Sequence, residues 1–346
     1  MTFKNRAAKT AAVIAPTVLL VWLGVVVARH LSIGAPPAAP PLCSSRPVRQ
    51  VEPREFLLGV REHDTPGPWA PISQFAAAAG ARPRLVLIYT SWKQKFRYGF
   101  AKTAAAHCAV VIVQMQPWSV PLSAIAAGHY DGYLSSYARQ VRTFHRPVVI
   151  GFGHEVNGNW YTWGHGHQSP AAFVAAWRHV VTVFRRQHAG NAIWLWTISS
   201  GVPRGRQLRP YWPGAHYVNW VGVDGYYEQK GQNFSSVFGH TIRQVRALTK
   251  DPILLSEAAI GPAAGRSASM PNLFTGIRRD HLLGLVWFDV TQSGDLSHQN
   301  WRMEGHPAEV AAFKHGVAQL LPSSSKPPGP WAPYGAGVAQ KATGPQ

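Results

Sequence analysis

Eight short apolar runs punctuate the chain between Phe56 and Val290, and most end in polar or aromatic residues. They are FLLGVR from Phe56, LVLIYTSW from Leu85, AVVIVQMQPW from Ala109 and PVVIGFGHE from Pro147. The others are AIWLWTISS from Ala192, VNWVGVDGYY from Val218, PILLSEAAIG from Pro252 and LLGLVWFDV from Leu282. The runs are continuous, not alternating, as expected of parallel strands covered on both faces. Helical segments separate them. Ser169-Pro170 opens AAFVAAWRHVVTVFRRQH with a serine cap, a proline at the first helical position and basic residues near the end. SSVFGHTIRQVRALTK precedes the seventh run in the same way. Strand, loop and helix repeated through about 270 residues predict an α/β fold that closes into a single (β/α)₈ barrel, a TIM barrel.

In such a barrel the C-terminal ends of the strands carry the active site. The runs end in QPW, GHE, SS, DGYY, SE and FD, which gathers acids and aromatics on that face. Two glutamates stand out: Glu155 ends the fourth strand and Glu257 ends the seventh. Those strand ends face each other across the barrel. Retaining glycoside hydrolysis uses two carboxyls about 5–5.5 Å apart, one giving a proton to the leaving oxygen and one attacking the anomeric carbon. Glu155 lies in GFGHEVNGNWYTWGHG, beside two tryptophans and a tyrosine. Indole faces offer apolar contact to pyranose rings, so the segment reads as an acid at the edge of a sugar platform.

Other chemistry finds less support. No HExxH, G-x-S-x-G or cysteine-pair metal spacing occurs, and no metal or cofactor is expected. His165 and His167 are read as substrate-side or solvated loop residues. Ser199 and Ser200 are read as cleft-lining or backbone-satisfied loop serines, Trp92 and Trp118 as subsite extensions or core or rim packing, and Asp224 and Asp289 as structural hydrogen-bonding groups. A net charge of +19 favours acidic surroundings, but the arginines are scattered and no nucleic-acid motif appears. Cys43 and Cys108 are the two cysteines; they could pair, although Cys108 opens an apolar run and reads as a buried thiol.

The N-terminus adds a destination. Residues 1–10 form a basic, cytoplasmic segment, followed by the uncharged run Ala11 to Ala28. As a helix that run would span roughly 27 Å, enough for a signal-anchor, with a cleavable signal peptide as the alternative. Both place the rest of the chain outside the cytoplasm, at the cell membrane or secreted. Residues 29–53 read as a Pro/Ala-rich linker, 54–321 as the barrel and 322–346 as a disordered tail.

From Phe56 to Arg302 the chain resembles glycoside hydrolase family 26, the β-mannanase family, in a clan of retaining barrel enzymes. HEVNGNWYTWG, LLSEAAIG, VGVDGYY and NWRMEG carry the resemblance. It implies Glu155 as proton donor and Glu257 as nucleophile. It places His154, Asn157, Trp160, Trp163, Tyr226 and Trp287 on the substrate side, with Tyr226 orienting the nucleophile and Trp160 and Trp287 walling the sugar subsites. SEAAIG lacks the bulky residue more usual after the nucleophile, and Asn300 stands where an aspartate is common. The implied function is an endo-β-glycanase, β-1,4-mannanase-like, acting on a β-linked polysaccharide. A mixed-linkage β-glucanase, a trimming enzyme partnered with a membrane polysaccharide synthase, and a non-catalytic carbohydrate-binding barrel are the alternatives.

Overall fold

The computed structural model describes residues 56–291 and 299–321. Its eight parallel strands close into a barrel in sequence order. They are β1 (Leu57–Glu62), β2 (Leu85–Ser91), β3 (Val110–Gln116), β4 (Val148–Phe152), β5 (Ala192–Ser199), β6 (Trp220–Tyr227), β7 (Ile253–Ile260) and β8 (Gly284–Asp289). Outside them run α1 (Ala70–Ala79), α2 (Tyr98–Ala106), α3 (Leu122–Ala126), α4 (Asp131–Phe144), α5 (Pro170–Arg186), α6 (His240–Arg246), α7 (Arg266–Arg279) and α8 (Pro307–Leu320). All eight apolar runs become strands, and the fold is the expected (β/α)₈ barrel. The basic segment 1–10, the apolar run 11–28, the linker 29–53 and the tail 322–346 lie outside the described residues. Among the described residues, no helix is long and apolar enough to cross a membrane.

Local chemistry sets the elements. At the start of α5 the extended Ser169 accepts a hydrogen bond from the Ala172 N–H at 3.1 Å, and Pro170 needs no partner there. Phe173, Ala176, Trp177, Val180 and Phe184 recur at helical spacing and form its buried face against the barrel.

The core has two apolar layers. Inside the barrel, Leu57, Leu87, Ile112, Ile193, Leu254 and Val286 belong to one cluster, while a larger one fills the space between strands and helices. The interior also holds a polar layer, where Gln114 donates to Thr197 Oγ1 at 2.9 Å. Glycines make room for it: a Cβ on Gly151 would fall 1.9 Å from Gln114 Oε1, and one on Gly222 only 2.4 Å from Ser256 Oγ.

Buried Arg266 ties the β7–α7 corner to the segment after β8. It donates to Ile260 O at 2.6 Å and Arg302 O at 2.7 Å, and also binds Asn300 O and the Glu309 carboxylate. Cys108 departs from expectation: it is half-buried and disulfide-bonded, not a buried thiol. It follows α2 with φ of 64°, at the turn into β3. The chain's other cysteine, Cys43, lies outside the described residues.

Candidate active site

β4 stops at Phe152, so Glu155 stands on the turn beyond the strand. Gly153 and Glu155 both have left-handed backbones, with φ of 56° and 51°. For a residue with a Cβ that conformation costs about 1–2 kcal/mol. The Glu155 N–H offsets it by donating to Thr197 O at 3.0 Å. The side chain is 9% exposed, and its Oε2 accepts from the Trp160 indole N–H at 2.8 Å. Burial and the Glu257 charge push the Glu155 carboxyl up to about 8, against the pull of hydrogen bonds from Trp160 and Ser199.

Glu257 sits midway along β7, not at its end. The ladders on both sides of β7 slip, between Gly222 and Asp224 on one side and between Leu255 and Ala258 on the other. Strict alternation would send Ser256 and Glu257 to opposite faces. The slip turns both inward. Ser256 donates to Asp224 Oδ1 at 2.5 Å, while Glu257 reaches two phenols. Tyr226 donates to Oε2 at 2.7 Å, and Tyr89 makes a short hydrogen bond to Oε1. Burial raises the Glu257 carboxyl above its ordinary value; the two phenols and Arg61 oppose that rise without cancelling it. Fully buried Asp224 is raised well above the usual carboxylate range by burial and by both glutamates. The arrangement can therefore hold a proton on Glu155 while Glu257 is ionised.

Tyr89 and Arg61 were not among the sequence candidates. Tyr89 lies inside the run LVLIYTSW, where it reads as packing. Its signal was a polar hydroxyl five residues into a strand whose following residues reach the mouth. Arg61 stacks over the Tyr89 ring at 5.2 Å.

The other candidates divide. Tyr226 meets Glu257, and Trp160, 37% exposed, presents a ring to solvent beside Glu155. His154 is 1% exposed; its Nε2 meets the Tyr161 hydroxyl at 3.1 Å, and burial lowers its pKa to about 3, so the ring is neutral. It lies between Tyr161 and Tyr89, 4.7 and 5.4 Å from their rings. Three expected sugar contacts lie elsewhere. Trp163 is fully buried, stacked on Tyr161 and donating to His154 O, so it backs the site from behind. Asn157 spends its amide on the Ser199 backbone, one bond each way at 2.8 Å, and splices the β4 turn to β5. Trp287 points out of the barrel onto Phe313 of α8, 5.0 Å between rings, because its neighbour Val286 occupies the inward position. Phe288 takes its place beside Tyr226, at 5.6 Å.

At the rim, Trp118 is 40% exposed and sets its edge on Tyr161 and Trp163, whereas Trp92 is wedged among Tyr130, Tyr133 and Phe152. His165 pairs with the Tyr211 hydroxyl and His167 with Asn159 O. A further acidic group, Glu62, Asp289 and Glu304, stands where β1 meets β8. Burial and the neighbouring acids raise Glu62 to about 7 and Asp289 to about 9.

A closed parallel barrel with one buried glutamate after β4, another on β7 and exposed indoles at its mouth defines the class: a glycoside hydrolase barrel. Comparison with known proteins narrows it. Residues 125–304 match the sequence profile of Glycosyl hydrolase family 26. The chain is 25% identical over 263 residues to Endoglucanase H of Acetivibrio thermocellus, covering 71% of this chain and 29% of that protein. It thus spans under a third of that relative's length. A stretch of 103 residues is 36% identical to Mannan endo-1,4-beta-mannosidase A and B of Caldalkalibacillus mannanilyticus, covering 28% of this chain and 19% of that one. Among solved structures, the GH26 β-mannanase BoMan26A from Bacteroides ovatus superposes with a TM-score of 0.60 at 16% identity, over 78% of this chain and 90% of that one. The chain belongs to glycosyl hydrolase family 26, a family of retaining O-glycosidases.

Proposed function

We propose that this chain is a retaining endo-β-glycanase, with Glu155 as acid/base and Glu257 as nucleophile, and that its substrate class is β-1,4-mannan. The observation that carries the reading is the unequal pair: Glu155, raised to about 8 by burial and the Glu257 charge, and Glu257, held by two phenols. Glu155 gives its proton to the glycosidic oxygen as Glu257 attacks the anomeric carbon, inverting it and releasing the leaving sugar. Glu155, now a carboxylate, takes a proton from water, which displaces Glu257 with a second inversion. Net retention follows. Trp160 fits a platform for a ring next to the cleaved bond, and Tyr226 and Tyr89 orient the nucleophile.

Mannanases among the similar proteins support the mannan assignment. A β-glucan substrate is the second reading, favoured by the longer match to Endoglucanase H. We also place the barrel outside the cytoplasm, tethered or secreted through the N-terminal apolar run. The disulfide at Cys108 supports an oxidising compartment. Trimming of a polymer made by a synthase in the same membrane fits a tethered enzyme; mature protein free in the medium, cut near Ala28, would contradict the tether.

The test offers mannan, glucomannan, mixed-linkage glucan, cellulose and xylans to the protein and to Glu257→Ala. Oligosaccharides released from mannan by the wild type alone are expected. Release from mixed-linkage glucan alone would move the assignment to the second reading. Folded wild-type protein that binds these polymers but cleaves none would favour the non-catalytic barrel.

A further inference from the structure

The seam that closes the barrel holds a group of acids that the glycosidase chemistry does not use. Glu62 ends β1 and Asp289 ends β8, and the two are register partners across the seam. Glu304 comes from the segment that follows β8, and one carboxylate oxygen from each of the three lies within 4.8 Å of the others. Glu62 is 1% exposed and Asp289 is fully buried. Both oxygens of Glu62, Asp289 Oδ2 and both oxygens of Glu304 are shut away from solvent without a hydrogen-bond partner among the described residues. Asp289 Oδ1 accepts from the Met303 N–H at 3.2 Å. The nearby arginines lend charge but put no hydrogen bond on these oxygens. Arg302 Nε stands 3.7 Å from Glu304 Oε2, and Arg61 turns its Nη1 to Thr65 Oγ1 at 2.8 Å. Three buried acids this close must share protons or hold a cation.

We propose that Glu62, Asp289 and Glu304 form a binding site for a hard divalent cation of the calcium type. The donors are oxygens alone, which suits calcium or magnesium over softer metals. Calcium accepts irregular shells of 6–8 oxygens at about 2.3–2.6 Å, so three carboxylates with water could complete one. The sequence shows no metal motif because its ligands stand at 62, 289 and 304, joined only by barrel closure. The cation would pin the segment after β8 to the seam. Trp301, three residues before Glu304, packs on Tyr226 at 4.8 Å between rings, so the same ion would steady the tether of Glu257.

The experiment strips the full protein with EDTA, removes the chelator and follows thermal unfolding with added CaCl2, MgCl2 or MnCl2. At saturating calcium the melting temperature should rise by about 5 °C. Glu304→Gln, at a half-buried position, should fold and lose that rise; Asp289→Asn should lose it too, and calorimetric titration of the stripped wild type should register calcium binding. A wild type indifferent to all three ions would overturn the site, as would an undiminished calcium effect in both variants.

Discussion

The two sides of the cleft present the same functional group in opposite settings. On the β4 side, Glu155 leaves the strand on a left-handed turn, takes an indole N–H, and is walled by Trp160 and the Tyr161–Trp163 stack. On the β7 side, Glu257 stays within its strand, turned inward by a ladder slip, and takes two phenolic O–H groups with Arg61 nearby. Burial raises both carboxyls; in the first setting the Glu257 charge adds to the rise, and in the second two phenols and Arg61 oppose it. Chemically equal residues are thus assigned different tasks by what surrounds them, not by their own chemistry.

The comparison breaks most sharply at Glu155. Glu155→Gln removes the proton donor, so kcat on a polysaccharide should fall roughly 10²–10⁴-fold. With an activated aryl glycoside, whose leaving group needs no proton, the first step should be nearly spared. Equal losses on both substrates, measured by pre-steady-state kinetics, would remove Glu155 from the acid role.

Tyr89 tests the other side. A hydrogen bond to a charged group is worth about 1.5–3 kcal/mol, so Tyr89→Phe should lower kcat/KM roughly 10- to 100-fold. The pH profile should change as well. The phenol lowers the Glu257 pKa, so its removal raises that pKa and shifts the acid limb to higher pH. The basic limb should stay in place. It belongs to Glu155, which loses its proton as pH rises through about 8.

Asn157 probes the joint between the two sides and not the chemistry. Asn157→Ala would leave the Ser199 N–H and C=O buried without partners. It should destabilise the fold by about 1–3 kcal/mol in urea titrations. Substrate binding should change less than stability. Trp160→Phe gives the smallest effect on rate: it removes a donor to the Glu155 anion, so the basic limb should move above its wild-type position near 8 while the acid limb holds.

Most of the barrel was legible because a strand buried on both faces leaves an uninterrupted apolar run, and eight such runs at barrel spacing admit few other folds. Glu155 and Trp160 could be found because they follow the fourth run, and Glu257 and Tyr226 because they break the seventh and sixth runs as polar or aromatic residues. What escaped depended on the third dimension. Tyr89 reads as one more apolar strand residue until closure brings β2 to face β7. The inward turn of Glu257 rests on a register slip, which no period reveals. Trp287 is a different kind of error. Two-residue alternation from Val286 already sends it towards the helices, and its sugar role rested on the family resemblance alone. The segment HEVNGNWYTWG mixes both kinds: it carries an acid and an exposed indole, but Asn157 and Trp163 serve the turn that holds them.

The division of labour between the glutamates can be read directly by anion rescue. Glu155→Ala and Glu257→Ala would each be given an activated aryl β-glycoside of the polymer the enzyme cleaves, with azide, and the product followed by NMR. In Glu155→Ala the sugar still reaches Glu257, and azide displaces it from the opposite face, giving the β-glycosyl azide. In Glu257→Ala azide enters where the carboxylate would attack, giving the α-glycosyl azide. The reverse pair of anomers, or rescue of neither variant when both are folded, would contradict the assignment of acid and nucleophile.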